Sequence, residues 1–338
     1  MPSFAIGVDL GGTNLRIAAV DELGTLLEKV TTGTHVSRGR DFVIGEMCDA
    51  IQAVVTKHQA KGELLGTGIG VPGIIDLDTG MLYESPNLPG WDHYPVREEI
   101  ERRLKTKVIL ENDANAAAMG EKWLGAARDF PSMCMLTLGT GVGGGIVLNE
   151  RIWHGMTGMA GEVGHMNVEP EGHPCGCGSR GCIEQYASAT AIVRMAREAI
   201  ASMREDATSL LLTDIGADKE FSSRVVYQAA VQGDSVAQEI YRKVGHALGI
   251  TVADLINALN LNMYVIGGGV VSAWEAFAPS MMEEVKKRSF IYRNTAPDAN
   301  LGSKKTTIIT RALLGTDAGL FGAARLPMIE SQAMEHAH

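Results

Sequence analysis

Met133-Cys-Met-Leu-Thr-Leu138, followed by Gly139-Thr140-Gly141-Val142-Gly143-Gly144 and Gly145-Ile-Val-Leu-Asn149, reads as an apolar strand, a glycine turn and a returning apolar strand. Phe4 to Val20 follows the same plan: Phe4-Ala-Ile-Gly-Val-Asp9, the turn Leu10-Gly11-Gly12-Thr13, then Asn14-Leu-Arg-Ile-Ala-Ala-Val20. The two copies stand about 130 residues apart. Such repetition points to an internal duplication, and so to two α/β halves of related plan.

Outward from the first copy, Asp21-Glu-Leu-Gly24 turns the chain into a third strand, Thr25 to Thr32, which predicts a three-stranded antiparallel meander. Phe42, Val43, Met47, Ile51, Val54 and Val55 have helical spacing and predict a helix from about Arg40 to Lys61. A strand from Leu64 to Val71, a helix from Pro95 to Lys105 and a strand Val108 to Leu110 complete a β-β-β-α-β-α-β half, and a helix from Ala114 to Trp123 follows. After the second copy comes a glycine-rich insert, Trp153 to Gly181. Helices are then predicted at Ile183 to Met203, Ser222 to Gln232, Val236 to Leu259 and Ala273 to Arg288. Strands follow at Met263 to Ile266 and Thr306 to Thr310, then a Gly/Ala-rich helix at Asp317 to Arg325 and a frayed tail from Pro327.

A length of 338 residues suits two domains of ordinary size. The net charge of -10 leaves no basic footprint for nucleic acid or for an acidic membrane. It does not exclude an anionic ligand, which backbone amides can bind without a basic surface. Met1 to Asp9 lacks the pattern of a signal peptide, and no apolar run approaches membrane-spanning length. Five cysteines, three of them between Cys175 and Cys182, argue against a disulfide framework. They favour a reducing, cytoplasmic address and a metal site.

The candidate chemistry gathers at a few places. Glu111-Asn112-Asp113 sits between a strand and a helix, where an acid can cap the helix or be aimed into a site. Three glycine turns follow strands: Asp9 to Asn14, Leu138 to Gly144, and Val265-Ile-Gly-Gly-Gly-Val270. Each could be a plain turn or a phosphate cradle. No Gly-Lys pair occurs, which removes the Walker loop. The first two turns run into strands rather than helices, against a dinucleotide fingerprint. Asp9 beside phosphate amides would need a cation between them, which points to Mg²⁺ through water; the alternative is an Asx-turn. His165 with Cys175, Cys177 and Cys182 makes a closed four-ligand set of the structural zinc type, with His173 the nearby rival to His165. Glu162 and Glu184 flank that loop and could accept hydrogen bonds from a polyhydroxylated ligand.

Together these residues resemble the ROK family of repressors and kinases, and within it the bacterial glucokinases. The likeness runs from Asp9-Leu-Gly-Gly-Thr13 through Glu111 to Ala116, Leu138 to Gly145 and Glu162-Val-Gly-His165, then Cys175 to Glu184, Ile266 to Gly269 and Leu314 to Gly319. The resemblance implies an α/β fold of two actin-like (ribonuclease H-like) domains with a duplicated βββαβαβ core, closing on an interdomain cleft. It implies a first domain of residues 1-118 joined by the C-terminal helix 312-330, and a larger domain of 119-311 carrying the zinc loop 165-182. It implies ATP with Mg²⁺, a structural Zn²⁺, a hexose substrate with glucose foremost, and a homodimer. By position it makes Asp113 the general base. Gly73, Asn87, Asn112, Glu162, His165 and Glu184 would bind the sugar, with His165 serving both metal and sugar. Asp9, Gly11, Gly12, Thr13, Asn14, Gly139, Thr140, Gly141, Gly143, Gly268 and Gly269 would line the ATP site.

Rival readings differ at definite places. A sugar-sensing repressor resembles this chain with a DNA-reading segment in front, for which the first strand at Phe4 leaves no room. A filament-forming or chaperone-like actin relative would lack the zinc loop. Within the kinases, N-acetylglucosamine and N-acetylmannosamine share the Glu162 and Glu184 pattern. Asn87-Leu-Pro-Gly-Trp91 resembles the glucokinase form of its loop, and polyphosphate stands as the alternative donor.

Overall fold

The computed structural model describes residues 2–204, 208–212, 221–299, 301–302 and 305–335. The chain divides into two compact units. The first is Met1–Met133, Gly145–Gly161 and Leu313–His338, and the second is Cys134–Gly144 and Glu162–Ala312.

The first sheet is built from β1 (Ser3–Leu10), β2 (Asn14–Asp21), β3 (Leu26–Gly33), β4 (Glu63–Val71) and β7 (Val108–Asn112). Its order is β3-β2-β1-β4-β7. β1 pairs antiparallel with β2 and parallel with β4, Asp9 lying opposite Arg16 on one side and Gly70 on the other. Strand alternation divides the side chains by size. Phe4, Ile6, Val8, Leu10, Leu15 and Ile17 enter a large core with Val43, Ile44, Met47 and Ile51 of helix α1 (Arg40–His58). Ala5, Ala18 and Val20 face the other way, against Leu320, Ala324 and Met328 of the final helix, α10 (Ala318–Glu335). Both faces of β1 and β2 and the end of β4 are thus buried, which explains why these strands read as nearly unbroken apolar runs.

Helices α2 (Val96–Leu104) and α3 (Asp113–Trp123) flank β7. Between β4 and α2 a small hairpin, β5 (Ile74–Asp76) and β6 (Met81–Glu84), stands in a stretch to which the sequence reading assigned no element. Three-residue strands are too short for alternation to reveal.

The second sheet contains β8 (Met133–Leu138), β9 (Val142–Leu148), β10 (Arg151–Ile152), β11 (Met263–Gly267) and β12 (Ile308–Arg311). Its order, β10-β9-β8-β11-β12, repeats that of the first sheet strand for strand, so the duplication read from the glycine turns is present in the topology. Helices α4 (Glu184–Ala187), α5 (Ala189–Ala201), α6 (Ser223–Val231), α7 (Ser235–Leu259), α8 (Trp274–Arg288) and α9 (Phe290–Thr295) complete the second unit among the described residues. The single helix predicted from Ile183 to Met203 is two. Ser188 is extended at φ -79°, ψ 160°, and its hydroxyl accepts from the Ala191 amide, starting α5 afresh.

The tail also differs from its sequence reading. α10 continues through Pro327 to Glu335 instead of fraying. Proline cannot donate to the carbonyl four residues back, here that of Ala323. That carbonyl faces Gly68, where a Cβ would lie 1.9 Å from it, so β4 covers the freed group. Among the described residues no helix is long and apolar enough to cross a membrane.

Candidate active site

In the first unit, the end of β7 and the start of α3 fix the Glu111-Asn112-Asp113 cluster. Asn112 is the cap: extended at φ -62°, ψ 143°, its Oδ1 accepts from the amides of Ala114 at 2.9 Å and Asn115 at 3.2 Å. Its Nδ2 donates to the Gly73 carbonyl at 3.3 Å. Gly73 has φ +126°, and a Cβ there would lie 2.2 Å from the Glu84 carbonyl, so only glycine fits. Asp113 heads the helix, and its Oδ1 accepts from Ala114 N–H at 2.9 Å.

Glu111 is buried behind them. Its carboxylate accepts from Asn112 N–H at 2.9 Å and Asn115 Nδ2 at 3.0 Å, and lies 2.7 Å from His154 Nε2. The hydrogen bond to Glu111 raises the His154 pKa above the ordinary histidine value, against the opposing effect of burial. His154 was not singled out in the sequence, because it stands 43 residues from its partner with no motif joining them.

The first glycine turn closes with Gly11 N–H donating to Asn14 O at 2.9 Å, while Thr34 Oγ1 donates to Gly11 O at 2.6 Å. Thr13 takes Thr34 N–H on its carbonyl. A Cβ on Gly12 would meet the Asn87 carbonyl at 3.1 Å, which places exposed Asn87 at the turn. Asn87 is held from behind by Leu88 and Trp91, both fully buried. Asp9 accepts from Arg16 at 2.7 Å. Burial nonetheless raises its pKa, helped by the neighbouring Asp317 carboxylate, while Arg16 pulls the other way. Asp317 in turn takes Lys29 at 2.5 Å. The sequence signal for Asp317 was its Gly315-Thr-Asp317 setting at the start of the closing helix.

In the second unit, Gly139 N–H donates to Gly141 O at 2.9 Å, leaving Thr140 exposed at the tip of the second turn. Glu184 supports that turn from beneath. Its Oε2 accepts from Val142 N–H at 3.1 Å, and a Cβ on Gly141 would lie 2.4 Å from it. Thr190 Oγ1 donates to Thr140 O at 2.8 Å. Glu184 therefore ties the cysteine loop, two residues away, to the glycine turn. Gly143 lies just beyond, in β9. At the third turn Gly268 presses on β8, where a Cβ would meet Leu138 O at 2.4 Å, and Gly269 faces open space.

His165, Cys175, Cys177 and Cys182 place one ligand atom each within 4.8 Å of one another. Cys177 Sγ and Cys182 Sγ are 3.7 Å apart, as are Cys175 Sγ and His165 Nδ1. A tetrahedral shell with metal–sulfur bonds of about 2.3 Å has sulfur–sulfur edges of about 3.8 Å, so the four fit one ion. The loop reaches this geometry through the turn Cys175 to Gly178, with Gly178 at φ +88°. His173 is outside the group, its Nδ1 lying 2.9 Å from the Pro174 carbonyl. His165 presents Nδ1 to the thiols and Nε2 to Glu162, 3.9 Å away.

Two five-stranded sheets of one order, each with a glycine turn between its first two strands, define a duplicated actin-like α/β protein. The ROK family profile matches residues 5–328, and the chain belongs to the ROK family. It is 38% identical over 332 residues to the glucokinase of Halalkalibacterium halodurans, covering 98% of this chain and 96% of that one. To the glucokinase of Thermotoga maritima it is 39% identical over 324 residues, covering 95% and 96%. The crystal structure of a ROK family glucokinase from Streptomyces griseus in complex with glucose and AMPPNP superposes with a TM-score of 0.74, at 34% identity and with 96% and 98% coverage.

Proposed function

We propose that this chain is an ATP-dependent hexokinase that phosphorylates the 6-hydroxyl of glucose. The observation that carries the reading is Asp113, a carboxylate fixed by a strand on one side and a capped helix on the other. It stands in a chain similar throughout its length to glucokinases.

Asp113 orients the 6-hydroxyl towards the γ-phosphate and accepts its proton late in a loose transition state, where positioning does most of the work. Gly73, Asn87, Asn112, Glu162, His165 and Glu184 are the residues read as binding the hexose. The amides of Gly12 and Thr13 and of Thr140 and Gly141 take the nucleotide phosphates, while Gly11, Asn14, Gly139, Gly143, Gly268 and Gly269 shape the rest of the ATP site. Asp9 is the residue that would hold Mg²⁺, which would supply charge neutralisation at the phosphates. Arg16 supports this role by holding the Asp9 carboxylate in one orientation. The four-ligand group is read as a structural Zn²⁺ site, since three thiolates and an imidazole leave no open position. His165 turns Nδ1 to the thiols, where it would take the metal, and would keep Nε2 for the sugar.

A coupled assay across glucose, mannose, N-acetylglucosamine, N-acetylmannosamine and fructose, with ATP or polyphosphate as donor, tests the assignment. The highest kcat/KM is expected for glucose with ATP. A higher value for N-acetylmannosamine would overturn the choice of sugar, and ATP turnover indifferent to any sugar would overturn the kinase reading.

A further inference from the structure

A second concentration of chemistry lies in the first unit, at the end of α3 opposite Asp113. An open cavity of about 420 Å³ there is lined by Lys122, Trp123, Arg128, Glu150, Arg151 and Arg325, among others. That volume falls within the range of small-molecule sites, roughly 300–1,000 Å³. Four cations and one carboxylate face one concavity in a chain whose net charge is -10.

The one carboxylate is already engaged. Lys122, its side chain only 7% exposed, gives its ammonium to Glu150 at 2.7 Å and to the Arg128 carbonyl at 3.3 Å. The three guanidinium groups keep their charge largely uncompensated. Arg128 meets only its exposed neighbour Asp129, at 3.6 Å. Arg151 has no ion pair among the described residues. Arg325 is half-buried over the Trp123 ring, 5.2 Å from its centroid, with one long hydrogen bond of 3.4 Å to Gln332. Burial works against its charge and lowers its pKa from the usual arginine value. Glu150 and Glu22 act on Arg325 only through space, without an ion pair, so this half-buried cation gains when an anion enters beside it.

We propose that Lys122, Arg128, Arg151 and Arg325 form a binding site for a small anion carrying two or more phosphate groups, distinct from the glycine turns. Planar guanidinium forks match phosphate oxygens in pairs, and three of them around one cavity exceed what a single phosphate can occupy. The indole face of Trp123 is already covered by Arg325, so the site recognises the anionic groups rather than a stacked base. An occupant would touch the far end of the helix that begins at Asp113.

The test is calorimetric titration of the full-length protein with pyrophosphate in magnesium-free, low-salt buffer, with citrate as the comparison. The wild type is expected to bind one pyrophosphate, and the Arg151→Gln/Arg325→Gln double variant to bind at least ~10-fold more weakly. The double variant should keep its thermal melt and its sugar phosphorylation. Should it fail to fold, Arg128→Gln, at an exposed position, is expected to weaken binding about threefold. Absence of binding to the wild type, or preference for citrate, would overturn the proposal. So would pyrophosphate affinity unchanged by the substitutions, which would assign the anion to the glycine turns.

Discussion

Asp113 and Asn112 divide two tasks that one residue could have shared. The cap belongs chiefly to Asn112, which takes two helix amides, whereas Asp113 takes one of the same amides on one oxygen. Asp113→Asn should therefore leave the melting temperature nearly unchanged while reducing turnover by roughly 10²–10⁴-fold with hexose binding retained. Stopped assays beside calorimetric glucose binding check both halves, and near-normal turnover would remove Asp113 from its role. Glu111 acts one layer behind. Glu111→Gln replaces an acceptor-only carboxylate by an amide that must point one N–H at a donor, at a cost of about 1–3 kcal/mol in denaturant unfolding. The His154 partner makes the effect depend on pH. A folded-state pKa above the unfolded value of 6.5 means that the pair's stabilisation is fully present below 6.5 and fades as pH rises through the folded value. His154→Ala should therefore lower the melting temperature more at pH 6 than at pH 8.5, and an equal loss at both would separate His154 from Glu111.

At the level of elements, α3 and α10 cross at glycines. A Cβ on Gly322 would lie 1.7 Å from the Ala116 carbonyl, and one on Gly120 would lie 2.0 Å from that of Ala318. Helix propensity alone would make Gly322→Ala stabilising by up to about 1 kcal/mol, but the crossing must open to admit the methyl. The clash decides the sign, and the variant should lose about 1–3 kcal/mol in urea melts. The cysteine loop makes a second prediction. Because Glu184 holds the Val142 amide two residues after Cys182, chelation should disturb sugar binding as well as the loop. Metal removal is expected to lower the melting temperature and raise the hexose KM at least ~10-fold, with recovery on adding Zn²⁺. These elements also divide what the sequence could reveal. The placement of Asp113 between a strand and a helix, the grouping of His165 with Cys175, Cys177 and Cys182, and the paired strand-turn-strand copies were legible because each is carried by neighbours in the chain. The break at Ser188 was local too, yet the helical pattern on both sides concealed it. Glu111 with His154, Asp9 with Asp317 and the passage of α10 through Pro327 were not legible. Each depends on a residue that tertiary packing brings from far along the chain.

For the whole molecule, the last helix completes the first sheet. Among the described residues, Ala5, Ala18 and Val20 pack in one cluster with Leu320, Ala324 and Met328 of α10 and its partly buried neighbours. A chain ending before Leu313 should thus lose cooperative unfolding in its first unit and become sensitive to protease within β1 and β2, although these lie some 300 residues away along the sequence. Protection equal to that of the full chain would show that α10 is dispensable.

The twofold strand order suggests two interchangeable modules, but the path of the chain denies it. Between Met1 and His338 the backbone changes unit at residues 133–134, 144–145, 161–162 and 312–313, the second of these within β9. No single cut of the gene yields either unit whole, and none can be exchanged with a relative by one recombination event. A protease nick at any one passage leaves three covalent ties in place.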